Sequence, residues 1–282
     1  MIIVAGATGQ LGHLVIKALL RKVPASSIVA AVRNVEKAKD LAALGVQVRY
    51  ADYNQPASWD AALKGAAKVL LISSSEIGQR AKQHRAVIDA AKRVGVKLLA
   101  YTSILHADTS PLALAAEHKE TEAYIRASGV PFVLLRHGWY TENYTAGIPG
   151  VLAQGTLYGC AGNGRIASAT RADYAEADVA ALTADNQFGK VYELAGDTAY
   201  TLTELAAEIS RQSGKSIAYV NLPEAEYKNV LLKVGLPEAF AALLSDSDTG
   251  VSKGGLFDDG HQLSKLIGRS TTPLATAVSA AI

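Results

Sequence analysis

"MIIVAGATGQLG", residues 1–12, decides the fold. Met1 to Val4 is a continuously apolar run, and Gly6, Gly9 and Gly12 recur every three residues behind it. Leu11, Leu14, Val15, Ala18 and Leu19 follow at helical spacing, so the glycines lie in a turn between a strand and an amphipathic helix. Such a turn lets the backbone approach a pyrophosphate, whose charge is met by amide groups and the positive end of the helix. Three glycines alone would be a weak signal. The strand before them and the helix behind them supply the context that makes this a dinucleotide cradle rather than a merely tight turn.

Working outward, the same strand-then-helix rhythm continues. Strands are expected at Ile28 to Val32, Val46 to Tyr50, Val69 to Ser73, Leu98 to Thr102 and Val130 to Arg136. Helices are expected at Lys37 to Leu44, Trp59 to Leu63, Gln83 to Val94 and Glu117 to Ser128, with Gly45 and Gly95 as stops. The strands are apolar throughout rather than alternating, as expected of parallel strands covered by helices on both faces. The fold class is therefore α/β, a doubly wound parallel Rossmann sheet with a small, mostly helical C-terminal lobe. Beyond about residue 140 the rhythm gives way to a glycine-rich stretch holding Gly147, Gly150, Gly155, Gly159, Gly162 and Gly164. The expected division is a nucleotide-binding part over 1–145 and a substrate-side lobe over 146–282, with 188–196 returning a strand to the main sheet.

The end of the second strand decides which dinucleotide. A carboxylate there, about twenty residues past the glycines, would accept hydrogen bonds from a free ribose. This chain reads "AAVRN", with Arg33 in that place. A guanidinium pairs bidentately with a 2′-phosphate, and the missing carboxylate removes what would repel one. NADP(H) is the expected cofactor, the alternative being a solvated arginine at a strand end.

Bulk properties narrow the remaining classes. The chain has 282 residues, 49% hydrophobic and 19% charged, enough for a sizeable core. Its 28 basic and 26 acidic residues leave a net charge of +2 with no run of like sign, so no nucleic-acid partner is expected. Cys160 is the only cysteine, which leaves no intrachain disulfide and makes a reducing cytoplasm the default location. No apolar run approaches the ~18 residues of a membrane span, no metal-ligand spacing such as HExxH occurs, and no GxSxG elbow supports a hydrolase. We expect no metal.

"GATGQLG", "AAVRN", "ADYNQPASW", "LLISSS" and "LLRHGWYTENY" together resemble the NmrA-like branch of the atypical short-chain dehydrogenases. "VYELAGD", "TLTELAAEIS" and "SKGGLFDD" extend the resemblance to bacterial NADPH-dependent quinone oxidoreductases of type 2 within it, over essentially the whole chain. The resemblance implies a Rossmann domain, NADPH, and reduction of a small quinone without flavin. Carried over by motif, Gly6, Thr8, Gly9, Gln10, Leu11 and Gly12 would wrap the pyrophosphate and Arg33 would meet the 2′-phosphate. Ser73, Ser74 and Ser75 would pass the ribose, and His137, Gly138, Trp139, Tyr140, Glu142 and Asn143 would lie beside the nicotinamide and the acceptor. Other readings stay open: the serines as a helix cap, Trp139 and Tyr140 as packing, and Asp52 as a turn residue rather than an adenine contact.

The chemistry turns on what is missing. Alcohol-oxidising short-chain dehydrogenases use a tyrosine with a lysine four residues on, and none of the twelve tyrosines here has one. Lys119 has Ala115 at that spacing, and Ser103, in the usual serine position, has no acid or base that the sequence reveals. Quinone reduction needs mainly placement of an electron-poor ring against the nicotinamide. His118, His137 and Tyr140 are the candidate proton donors. The alternative function is an NADP(H)-binding redox sensor that signals without turnover; reduction of an activated double bond is a third. A homodimer stays open.

Overall fold

The computed structural model describes residues 1–282. Strands are β1 (Ile2–Ala5), β2 (Ile28–Val32), β3 (Gln47–Tyr50), β4 (Lys68–Leu71), β5 (Leu98–Ile104), β6 (Phe132–His137), β7 (Thr156–Gly159), β8 (Val191–Leu194) and β9 (Ala218–Asn221). The longer helices are α1 (Gln10–Leu19), α4 (Arg80–Val94), α5 (Ala115–Ser128), α8 (Arg171–Thr183), α9 (Leu202–Ser213), α10 (Glu224–Lys233) and α11 (Glu238–Ser252). Short ones are α2 (Lys39–Ala43), α3 (Ala57–Ala62), α6 (Glu142–Thr145), α7 (Ile148–Gln154), α12 (Gln262–Ile267) and α13 (Leu274–Ser279). No helix is long and apolar enough to cross a membrane.

The chain forms two compact units that it visits alternately. The first holds Met1–Ile104, Glu117–His137 and Arg171–Tyr192; the second holds Leu105–Ala116, Gly138–Thr170 and Glu193–Ile282. A division by contact thus runs differently from one drawn along the chain at 145/146.

In the first unit the sheet order is β3-β2-β1-β4-β5-β6, with β8 beside β6, and β1 to β6 are mutually parallel. Every residue of β2 and β5 is buried, which is why Ile28 to Val32 and Leu98 to Tyr101 read as unbroken apolar runs. Fully buried side chains such as Ile3, Leu70 and Leu71 each contribute about 1.5–3 kcal/mol. The order reverses between β1 and β4, and ligands of doubly wound sheets bind outside the strand ends at such a reversal. The expected helix over 37–44 is split into a 3₁₀ turn, Val35–Ala38, and α2, because Asn34 accepts from the amides of Glu36 and Lys37 and starts the turn early.

Helix α8 packs on α1 and was invisible to periodicity. It buries Tyr174, Ala175, Ala177, Val179, Ala181 and Leu182 together with Asp173 and Asp178, so small and acidic residues interrupt any apolar stripe.

The second unit carries a two-stranded parallel sheet of β7 and β9. A Cβ on Gly159 would lie 2.7 Å from Leu202 Cδ1 and 2.8 Å from Asp248 Oδ2, so only glycine lets β7 approach α9 and α11 this closely. Helix α9 opens with a capping box in which Thr201 and Glu204 exchange hydrogen bonds, and ends at Gly214 with φ +70°. Pro223, Pro237 and Pro273 precede α10, α11 and α13.

Candidate active site

The loop after β1 is shaped by its glycines. Gly6 sits at φ +66°, and its carbonyl accepts the Gly9 amide at 2.9 Å. Gly9 precedes α1 in extended conformation, no side chain caps the helix, and its first turn holds no acid. A Cβ on Gly12 would fall 2.5 Å from Gly6 O and 2.8 Å from Ala7 Cα, so the third glycine lets α1 start directly against the turn. Thr8, Gly9 and Gln10 are exposed, while Leu11 and Gly12 are buried and offer only backbone to a ligand. The uncapped amides and the absence of Cβ atoms fit a pyrophosphate.

Three further loops meet this turn. Tyr53, just past β3, donates to Ile72 O at 2.8 Å, and its hydroxyl lies 3.7 Å from where a Gly6 Cβ would stand. Asp52 accepts the Asn54 amide at 2.9 Å and its carbonyl accepts Trp59 Nε1 at 3.0 Å, so it is a turn residue. Arg33 is exposed at the end of β2, with Nη1 3.5 Å from Glu76 Oε1 beyond β4. The serines between are held unequally. The Ser73 amide donates to Thr102 Oγ1 at 2.9 Å; the Ser74 amide donates to His84 Nε2 at 2.9 Å and its hydroxyl to Gln83 Oε1; Ser75 is exposed. None of them caps α4, whose N-cap is Gln79. Ser74 faces inward, so it shapes the loop, leaving Ser73 and Ser75 nearer the open side.

Beneath that loop lies a buried polar network. Arg80 Nε donates to Ser74 O at 2.5 Å, and Glu117 Oε1 accepts the amides of Gly78 and Arg80 at 3.0 and 3.2 Å. Since His84 Nε2 accepts, its proton sits on Nδ1 and is donated to Thr121 Oγ1 at 3.0 Å, while Thr121 donates on to Glu117 O at 2.8 Å. Burial, aided by the Arg80 charge, drives the His84 pKa down to about 3. His118 shares a 2.8 Å hydrogen bond with Tyr101 and is likewise held well below the usual range by burial, then by Arg80, His84 and His137.

Ser103 has a partner after all. It donates at 2.6 Å to Glu122 Oε1, which also accepts Arg136 Nε at 2.8 Å, while Arg136 Nη2 reaches Glu122 Oε2 at 2.6 Å. The acid that the sequence did not reveal is therefore Glu122, clamped bidentately on a buried arginine. His137 at the end of β6 pairs its Nε2 with Asp178 Oδ1 at 2.8 Å and stacks on Tyr174 at 4.6 Å.

Comparison with known proteins places this geometry in a family. The profile of the NmrA-like family matches residues 1–275. The chain belongs to the NmrA-like family. Among curated relatives of this NmrA-like chain, Quinone oxidoreductase 2 of Escherichia coli (strain K12) is 60% identical over 279 residues, covering 99% of this chain and 98% of that protein. A crystal structure of the NADPH-dependent quinone oxidoreductase QOR2 from Escherichia coli, complexed with NADPH, superposes with a TM-score of 0.97 at 60% identity and covers 99% of each chain. The Citrobacter sp. triphenylmethane reductase complexed with NADP(H) superposes with a TM-score of 0.97 at 41% identity, covering 100% of each chain.

The remaining expected positions of the NmrA-like chain, Gly138, Trp139, Tyr140, Glu142 and Asn143, lie in the second unit. Trp139 is buried, its carbonyl accepts the Ala169 amide at 3.1 Å, and Thr141 N–H returns to Ala169 O at 2.9 Å. That unit also holds a cavity of about 450 Å³ lined by Thr141, Ser168, Tyr200, Asp197, Glu204 and Glu208 among others. Its three carboxylates make it a poor home for a flat, electron-rich-edged ring, and no acceptor is assigned to it. Sequence reading missed Arg80, Gln83, His84, Glu117 and Glu122. The one available signal was the helical i, i+4 spacing of Arg80 with His84, and of His118 with Glu122.

Proposed function

We propose that this NmrA-like chain is an oxidoreductase that passes a hydride from NADPH to a small quinone without flavin. The observation that carries the reading is its full-length likeness to Quinone oxidoreductase 2, and Arg33 in place of an acid at the end of β2 supports the choice of cofactor independently. The amides over Gly6 to Gly12 would take the pyrophosphate, Arg33 the 2′-phosphate, and Ser73 and Ser75 the ribose side. His137 and Gly138 to Asn143 would serve the nicotinamide and the acceptor. In this reading the 1–145 part is the NADP-binding domain and the 146–282 part acts on the substrate side.

Bound NADPH supplies a hydride, two electrons with one proton, and the hydroquinone takes its second proton from elsewhere. The chain's contribution is chiefly placement: rigid loops that fix the cofactor side leave the acceptor to be held at near-attack distance. Burial disfavours the charged imidazolium of His84 and of His118, which makes both poor acids for the hydroquinone. His137, oriented by Asp178, and Tyr140 remain as donors beside water. Glu122 and Arg136 lock Ser103, so an alcohol-oxidising route through that serine has no free base. We assign the protein to the cytoplasm, where reduced nicotinamide is supplied, and assign it no nucleic-acid partner.

Product analysis tests this. With NADPH and a benzoquinone, hydroquinone should form one-for-one with NADPH consumed; NADPH loss with a saturated ring product would favour double-bond reduction instead.

A further inference from the structure

The loop after β4 places a fixed carboxylate beside Arg33. Glu76 Oε2 accepts Gln83 Nε2 at 2.8 Å and Asn54 Nδ2 at 3.3 Å. Gln83 is only 1% exposed, and its own oxygen is engaged by the Ser74 hydroxyl, so it anchors Glu76 from inside the protein. The other oxygen, Oε1, is turned to Arg33 Nη1 at 3.5 Å, longer than a good hydrogen bond. Arg33 is thus an exposed, loosely paired guanidinium, and its ion-pair partner is an acid that cannot swing away without losing two hydrogen bonds.

We propose that Glu76 is a specificity-determining residue of the adenosine 2′ site: its carboxylate competes with a 2′-phosphate for Arg33 and can accept a 2′-hydroxyl, narrowing the preference for NADP over NAD. The proposal rests on the assignment of Arg33 to the 2′-phosphate. A phosphate monoester brings ~1.5 to 2 negative charges close to this anchored anion. At solvent-exposed distances each such charge pair weakens binding a few-fold, whereas a ribose hydroxyl gains an acceptor. An acid contributed from the loop after β4, rather than from the end of β2, thereby does in part what the β2 acid does in NAD-type sites.

Binding of two fragments isolates the effect from turnover: adenosine 2′,5′-bisphosphate and AMP, titrated by calorimetry into the full chain. Glu76→Gln keeps an oxygen for Gln83, and Glu76→Ala is a second neutral variant, each checked by thermal melting. Both should raise the bisphosphate-over-AMP affinity ratio about three- to tenfold, with the gain shrinking as salt is added. An unchanged ratio in both variants overturns the role of Glu76. A wild-type protein that shows no preference for the bisphosphate overturns the assignment of Arg33 itself, a different failure.

Discussion

Substituting the second and third glycines of the nucleotide loop should separate stability from binding. In Gly12→Ala the new methyl would stand 2.5 Å from Gly6 O and 2.8 Å from Ala7 Cα, against the 3.4–4 Å of ordinary contact. Both obstacles are backbone, and Gly6 O already accepts the Gly9 amide, so α1 has to move off the turn. Overpacking of this kind costs about 1–3 kcal/mol or more, and the better helix propensity of alanine offsets about 1 kcal/mol of it. With backbone as both obstacles the clash falls at the upper end of that range, about 3 kcal/mol, so the net loss of roughly 2 kcal/mol should lower Tm by several degrees at about 2–4 °C per kcal/mol. In Gly9→Ala the methyl is 3.2 Å from Gly6 O, on an exposed residue at φ −73° that any side chain adopts. Stability should then fall by no more than about 1 kcal/mol, the cost of alanine at the N-cap of α1 with a tight contact to Gly6 O, while NADPH affinity falls about tenfold, the equivalent of ~1.4 kcal/mol, if the pyrophosphate comes where the methyl would stand. Urea unfolding and NADPH fluorescence titration of both variants make the test. A Gly12→Ala protein as stable as wild type, or a Gly9→Ala protein that binds NADPH unchanged, would refute the reasoning.

Other perturbations have equally definite outcomes. Arg33→Asp should weaken NADPH by about 1.5–3 kcal/mol, the size of a charge-assisted bond, and narrow the gap to NADH; an unchanged cofactor preference in competition titrations contradicts that. Glu122→Ala leaves Arg136 buried without its bidentate acceptor and should cost about 3–5 kcal/mol in urea unfolding, whereas a loss under 1 kcal/mol would deny the clamp its structural weight. Asp248, buried in α11 where it accepts Tyr144 Oη at 3.3 Å and the Cys160 amide at 3.1 Å, is pushed by burial from 3.8 up to about 6. Below pH ~4 both folded and unfolded chains hold that proton; between ~4 and ~6 the unfolded chain releases it first, so this group's stability contribution falls and stays low above pH 6. Asp248→Asn should therefore stabilise the protein by up to about 3 kcal/mol at pH 8 and by much less at pH 4, and an equal effect at both pH values would contradict the linkage.

The inner strands were legible because they are sandwiched: Ile28 to Val32 and the start of Leu98 to Thr102 announce themselves as apolar runs. Strand β3, Gln47–Tyr50, at the sheet's edge is instead exposed or half-buried and alternates polar with apolar, against the expectation of apolar strands throughout. The glycine turn and Arg33 were legible because the first βα unit is local in sequence, with cause and effect within about thirty residues. What stayed hidden depends on distance along the chain. Ser103 finds Glu122 nineteen residues on, and the Ser74 amide finds His84 ten residues on, pairings that no local spacing specifies. Helix α8 stayed hidden for another reason: a helix covered on most sides by small residues and buried aspartates has no stripe to count. Strand β7 is four residues among glycines, too short to outweigh its neighbours.

The most direct test of the account is turnover. Purified protein, free of flavin, is mixed with NADPH and 1,4-benzoquinone, and the NADPH absorbance band is followed against the same mixture without protein. The account predicts loss of NADPH well above the uncatalysed rate, in proportion to protein, with Gly9→Ala needing about tenfold more NADPH to reach the same rate. Tight NADPH binding with no acceleration over a panel of quinones would contradict it and leave a chain that reads the NADP pool without spending it.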